Sequence, residues 1–345
     1  MTPSVHVQFS PDPGYLNTAT VGVPPLAAVQ EVATVMEQWR RGRLSPPELD
    51  GHVTRSREAW ARLTGVPGSE VAIGSTVSEL VGLVAAALPD GARVIVAEGE
   101  FTSVTFPFLA HADRGVTVHE LPLEQLPAFE GPADLVAVSA VQSADGRQVD
   151  LPAVLESARA TGARVLLDTT QSCGWLPLDV RAVDYVVCAA YKWLLCPRGT
   201  AFLRVRPDAL AGLRPLSAGW YAGQHPWTSI YGTPLRLADD ARRLDISPAW
   251  FSWVGAAVSL ELLADLDAAQ LHAHDVGLAD EFLRRIGGTP QGSAIVTVAA
   301  DDQVAGRLAA AGIRTAIRAG RVRLSFHLYN DAPDVDLAVR AVRGD

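Results

Sequence analysis

Cysteine is scarce: Cys173, Cys188 and Cys196 are the chain's three, an odd number with no C-x-x-C pair. That excludes a disulfide framework, argues for a reducing compartment and makes Cys188 a small buried hydrophobe. Long apolar runs are missing too. The longest, Leu80 to Leu88, is far too short to span a bilayer. The opening MTPSVHVQFSPDPG has neither a charged nor an apolar leader segment, so no secretory signal is expected and a cytoplasmic location is. Net positive charge is lacking as well. At a formal −9, nucleic acid and anionic membrane are poor partners, and Trp39-Arg-Arg-Gly-Arg43 reads as a solvated helix end.

What is present is a well-packed chain of 345 residues, 48% apolar and 19% charged, long enough for one large domain or two moderate ones. Pro24-Pro25 opens a helical pattern with Leu26, Val29, Ala33, Met36 and Trp39 on one face, and a second helix is expected over Glu48–Leu63. Short apolar strands then alternate with helices. The strands are Arg93–Ala97, Val116–Leu121, Leu135–Ser139, Arg164–Asp168, Asp184–Ala190 and Ala201–Val205; the helices are Ser78–Leu88, Ser103–Ala110 and Leu151–Thr161. This alternation predicts an α/β fold, a mainly parallel sheet covered by helices. From about Pro248 the texture changes to helices Val254–Leu266 and Ala269–Ile286, a strand near Ala294–Val298, a helix Gln303–Ala311 and a strand Arg321–His327. That is a smaller α+β domain at the C-terminus. The expected division is 15–247 for the large domain, and 1–14 with 248–345 for the small one. Ser217–Pro234, dense in aromatics, reads as an ordered loop.

In open parallel sheets ligands bind beyond the carboxyl ends of the strands. There the sequence offers Asp168-Thr-Thr-Gln171 and Tyr191-Lys192. Taken alone, a carboxylate and an ammonium on nearby strand ends make an ordinary salt bridge. They also meet the needs of pyridoxal 5′-phosphate: a lysine for the Schiff base and an acid to keep the ring nitrogen protonated. A phosphate site is expected at Ile73-Gly-Ser-Thr-Val-Ser-Glu-Leu80, where hydroxyl residues precede an apolar helix; by itself this is also a plain helix cap.

Taken together, Asp168-x-x-Gln171, Tyr191-Lys192-Trp193 and Arg323-Leu-Ser-Phe-His-Leu-Tyr-Asn330 resemble class V aminotransferases. These are fold-type I pyridoxal phosphate enzymes that include cysteine desulfurases, kynureninases and isopenicillin N epimerase, and the likeness runs from Tyr15 to about Val335. It implies that Lys192 tethers the cofactor and moves protons at Cα, that Asp168 pairs with the ring nitrogen and that Gln171 meets the phenolic oxygen. It implies a phosphate held by the Val77 backbone, Ser78 and Tyr191, with Thr76 in reserve, and a ring stacked on the cofactor by Phe101. Arg323 would grip the substrate carboxylate, and Asn17 lies in the Tyr15-Leu-Asn17 segment that returns to the site. Ser247 would reach the phosphate of a neighbouring subunit, which makes the protein a homodimer with shared sites.

Departures from the family narrow the chemistry. No cysteine lies beyond Cys196 and the segment before Arg323 is short, which disfavours a persulfide-forming desulfurase; Gly219-Trp-Tyr221 echoes kynureninases only loosely. Ser139-Ala140 stands where relatives often carry an Asn near the ring. His272-Ala-His274-Asp275 is no metal motif, since residues two apart on a helix face apart. G-x-S-x-G and strand-linked G-x-G-x-x-G patterns are missing, so neither a serine hydrolase nor a dinucleotide enzyme is indicated. The expected activity is transamination at Cα of a small amino acid. Carbon–sulfur β-elimination is one alternative, and a non-catalytic pyridoxal phosphate-binding protein is the other.

Overall fold

The computed structural model describes residues 7–344. Seven strands form the main sheet: β1 (Val71–Gly74), β2 (Arg93–Ala97), β3 (Thr117–Leu121), β4 (Leu135–Ser139), β5 (Arg164–Asp168), β6 (Tyr185–Ala189) and β7 (Ala201–Val205). Their order is β1-β7-β6-β5-β4-β2-β3, and the neighbours from β6 across to β3 run parallel. Only β7 is reversed, pairing antiparallel with both β6 and β1. The central strands β4 and β6 are buried along their whole length, which explains why they read as unbroken apolar runs rather than alternating ones.

Among the described residues ten helices flank the two sheets: α1 (Leu26–Arg40), α2 (Pro46–Thr64), α3 (Val77–Ala87), α4 (Thr102–Leu109), α5 (Leu151–Thr161), α6 (Pro207–Leu210), α7 (Trp250–Ala264), α8 (Ala268–Arg285), α9 (Asp302–Ala310) and α10 (Ala332–Arg343). Helix α1 differs from its expected orientation. Ala28 and Val35 are its buried residues, whereas Leu26, Val29, Met36 and Trp39 are exposed. The apolar stripe read from the sequence faces outward, and the smaller side chains pack inward.

A second sheet, in the order β8-β10-β9, is antiparallel and joins β8 (Ile295–Ala299), β9 (Ala316–Arg318) and β10 (Arg321–Ser325). Its core, with Val296, Val298, Val322 and Leu324, is closed by Phe282 of α8 and Val335 of α10. The N-terminal segment ties the two sheets together: Tyr15 bridges to Arg314 and Asn17 to Ser325, and Gly22 donates to the Tyr191 carbonyl at 2.9 Å. Helix α7 opens after Pro248, yet its Trp253, Ala256 and Leu260 pack in the core of the large sheet. We propose that the boundary between the domains, expected at 247/248, lies after α7 rather than ahead of it. Residues 1–6 of the expected small domain lie outside the described residues.

One buried ion pair fixes the segment that runs from β1's flank toward Ser247. Arg57 of α2 meets Asp245 at 2.7 Å, and Asp245 also accepts from the Ile73 amide of β1 at 2.8 Å. Burial pushes the Asp245 carboxyl up and Arg57 opposes it. Removing one partner leaves the other charge buried and unpaired, so Asp245→Ala should cost about 3–5 kcal/mol of unfolding free energy. Urea unfolding with an unchanged m-value measures it; a loss below about 1 kcal/mol would mean that water reaches the pair.

Candidate active site

The carboxyl ends of β4, β5 and β6 and the N-terminus of α3 converge on a cavity of about 270 Å³. Lys192 stands three residues beyond β6, in a tight loop that carries Leu195 at φ 58° and is pressed by Gly22. A Cβ at Gly22 would lie 2.0 Å from the Lys192 carbonyl oxygen, so only glycine fits there. The Lys192 side chain is buried, and its Nζ has no hydrogen-bond or ion-pair partner among the described residues. It lies 5.2 Å from the Phe101 ring centroid and 5.7 Å from that of Tyr191. Burial lowers its pKa to about 8, with Arg323 and Arg318 adding to the drop and Asp168 opposing it.

Asp168 ends β5 and lines the same cavity. Its Oδ1 accepts from the Thr170 amide at 2.8 Å. Burial raises its pKa to about 6; Glu100 adds to the rise, and Thr170 and Lys192 work against it. Glu100 is a second buried carboxylate, fully engaged by the Phe101 amide, the Ser139 amide and hydroxyl, and the Gln142 side chain.

At the other rim Thr76 caps α3, its hydroxyl accepting from the Glu79 amide at 3.2 Å. First-turn amides such as those of Val77 and Ser78 have no intrahelical acceptor. Thr76, Val77 and Ser78 all line the cavity, which makes this rim an anion site by geometry.

Arg323 lies behind Ser143. It is buried, donating to the Ser143 carbonyl at 2.5 Å, the Ser143 hydroxyl at 3.1 Å and the Thr20 hydroxyl at 2.8 Å. Its Nε has no partner and no carboxylate among the described residues pairs with it. Burial, with Arg318 beside it, lowers its pKa to about 10. A buried guanidinium left uncompensated calls for an anion.

Phe101, Tyr191 and Gln171 also line the cavity. The Gln171 amide, however, is occupied: Nε2 bonds the Ala19 carbonyl and Ser143 hydroxyl, and Oε1 accepts from the Trp193 indole at 2.8 Å. Ser143 thus takes bonds from both Gln171 and Arg323, leaving its own proton to point elsewhere. Asn17 and Ser247 do not line the cavity; Asn17 carries an orphaned buried oxygen, and Ser247 is exposed. His272, His274 and Asp275 are spent on structure, bonded to the Trp175 carbonyl, the Asn330 carbonyl and His327. No metal-holding cluster occurs among the described residues.

Sequence reasoning passed over Arg198 and Ser143 in the lining, and Glu100 and Thr20 behind it. The Pro197-Arg198-Gly199 turn, six residues past Lys192, was the available signal for Arg198. A stronger signal was also unused: Lys192 is the only lysine in the chain.

An open α/β sheet whose strand ends gather a free amine, a buried carboxylate, a helix-terminal anion site and an unpaired guanidinium is built for an anionic, carbonyl-bearing cofactor. The comparisons agree. The family model described as "Aminotransferase class-V" matches residues 48–337. The uncharacterized aminotransferase YcbU of Bacillus subtilis is 28% identical over 306 residues, 82% of this chain and 81% of that one. A probable cysteine desulfurase of Methanothermobacter thermautotrophicus is 25% identical over 382 residues, covering 94% and 92%. A solved variant of C-DES, with glycine covalently linked to its PLP cofactor, superposes with TM-score 0.87 at 21% identity over 99% of both chains, a likeness of fold. The chain belongs to the class V aminotransferase family, and its cofactor is pyridoxal 5′-phosphate. The donor set fits that group: an amine for its aldehyde, an acid for its ring nitrogen and free amides for its phosphate. No described helix is long and apolar enough to cross a membrane.

Proposed function

We propose that the protein is an aminotransferase acting at the Cα of a small amino acid. The reading rests on one observation, the unpartnered Nζ of the only lysine in a cavity shared with buried Asp168 and backed by unpaired Arg323. Bound pyridoxal phosphate supplies an electron sink for charge left at Cα. Lys192 would hold the cofactor through its amine and would carry the proton away from Cα and return it. Asp168 keeps a positive charge on the ring nitrogen. Arg323, fixed by Thr20 and Ser143, orients the substrate by its carboxylate. Val77, Ser78 and Tyr191 hold the phosphate, and Phe101 covers one ring face.

A second reading, β-elimination by a carbon–sulfur lyase, is favoured by the desulfurase relative that covers nearly the whole chain. Both use the same proton removal. We infer that persulfide formation on the protein is not part of it, because all three cysteines are buried and burial raises the Cys188 and Cys196 thiols. Exposed Ser247 and the exposed apolar stripe of α1 support a homodimer with shared sites; a monomer in sedimentation would remove that part.

The experiment is to feed amino acids and cysteine conjugates to the holoenzyme. Transamination yields the matching keto acid and converts the cofactor to its amine form. Elimination from a cysteine conjugate releases the thiol with pyruvate and ammonia, and the visible band is retained. A holoenzyme whose spectrum no amino acid perturbs would instead be a non-catalytic binder.

A further inference from the structure

The face of the small sheet that carries Arg323 continues outward. Directly opposed residues of antiparallel strands project to the same side. Arg323 opposes Ala316 and Arg321 opposes Arg318, so these four share one face, while Val322 and Leu324 fill the core on the other. Arg321 is tied along this face to the Thr297 hydroxyl at 2.8 Å, Thr297 being the residue opposite Arg323 on β8. Arg318 is not. Its guanidinium bonds only the Ile317 carbonyl, and no carboxylate pairs with it among the described residues.

Its position is set by strand pairing rather than by a loose loop. The β9–β10 turn is two residues long, with Ala319 at φ 45° and Gly320 at φ 72°. Arg318 is therefore the diagonal neighbour of Arg323, roughly 7–8 Å away between backbones. It acts on the site: Arg318 lowers the pKa of both Lys192 and Arg323.

The chain is net −9, yet Lys192, Arg198, Arg318 and Arg323 have no acidic partner among the described residues. Among the described residues Asp168 is the only acid in the cavity lining. The proposed reading places the lysine on the cofactor, Arg198 stacks on Tyr191 at 5.1 Å beside the proposed phosphate hydroxyl, and Arg323 takes the α-carboxylate. Arg318 is left over.

We propose that the substrate carries a second anion at the end of its side chain, a carboxylate or sulfur oxyacid, and that Arg318 binds it. This rests on the reading of the site given above. The substrate class is then an acidic amino acid, its two anions held by two arginines of one sheet face.

The test uses the holoenzyme. Titration calorimetry with succinate and glutarate against butyrate reads binding without turnover. Kinetics with L-aspartate, L-glutamate and L-cysteine sulfinate against L-asparagine, L-glutamine and L-alanine read specificity. Diacids should bind about tenfold more tightly than the monoacid. Arg318→Gln should erase that advantage and raise KM for acidic substrates about tenfold, with much smaller changes in kcat and in KM for neutral substrates. Arg318→Glu should reject acidic substrates further. Preference for the sulfinate over aspartate would choose the sulfur oxyacid. Equal binding of diacid and monoacid, or an Arg318→Gln enzyme with unaltered preference, overturns the inference while the site stands. If no amino acid of either class perturbs the cofactor spectrum, the reading of the site fails and this inference with it.

Discussion

Replacing Lys192 with alanine should leave a folded protein whose turnover falls roughly 10⁴- to 10⁶-fold. No second lysine exists in the chain to take over. Borohydride reduction followed by peptide mass mapping should label the wild type at the Lys192 peptide and the variant nowhere in the cavity; the α-amino terminus is the control. Lys192→Arg should not rescue, because a guanidinium keeps the charge without being a usable nucleophile. Lys192's pKa of about 8 also sets a pH signature. Capture of added cofactor by the apoprotein needs the unprotonated amine, so its rate should climb with pH and level off above about 8. An ordinary lysine would still be climbing. Stability gives the complementary sign. The folded state holds the lysine pKa below its usual 10.5, so the unfolded chain binds more protons between about pH 8 and 10.5. Wild-type apoprotein should therefore gain stability as pH rises through that window, and Lys192→Ala should not. A structural lysine would behave in the opposite way, its loss destabilising the fold at neutral pH. A variant that kept more than a few per cent of activity would end the assignment.

Most strands were legible because both faces of the large sheet are covered except at its β3 edge, which turns each covered strand into an apolar run with sharp ends; β2, β4, β5 and β7 match their expected limits residue for residue. Strands β1 and β9, of four and three residues, were missed, being too short for any periodicity to register. Helix α10 was missed although Asp331 and Asp334 cap it reciprocally, a pattern visible in Asp331-Ala-Pro-Asp334. The cavity gathered the residues expected at consecutive strand ends, because topology alone brings those together. What stayed hidden depends on long-range pairing. Glu100 holds Ser139 and Gln142 across about forty residues, and Ser143 serves Gln171 and Arg323, which are far apart in sequence. The chain's near-absence of lysine also reweights the residue types: arginine is the default cation here, so Arg323 is distinguished by its burial and its missing acid, not by being arginine.

Asp168→Asn should cut kcat by about 10²- to 10⁴-fold with a smaller change in KM. The substitution is nearly isosteric, and the amide oxygen can still accept from Thr170, so the backbone beyond β5 stays in place. What disappears is the buried negative charge that would hold a proton on the ring nitrogen. The pH behaviour separates this from mere packing. Burial, helped by Glu100, raises the folded-state pKa from 3.8 to about 6, so between those values the folded apoprotein binds more protons than the unfolded chain. Wild-type apoprotein should therefore lose stability as pH rises through that window, and Asp168→Asn should show no such slope. A cationic ring stabilises the ionised carboxylate, so cofactor affinity should instead rise with pH through about 6 in the wild type and stay flat in the variant. Spectral titration of apoprotein with pyridoxal phosphate at pH 5 and pH 7.5 measures it. Flat affinity in the wild type, or an Asp168→Asn enzyme with more than half its kcat, would mean that this carboxylate serves the β5–β6 turn and not the chemistry.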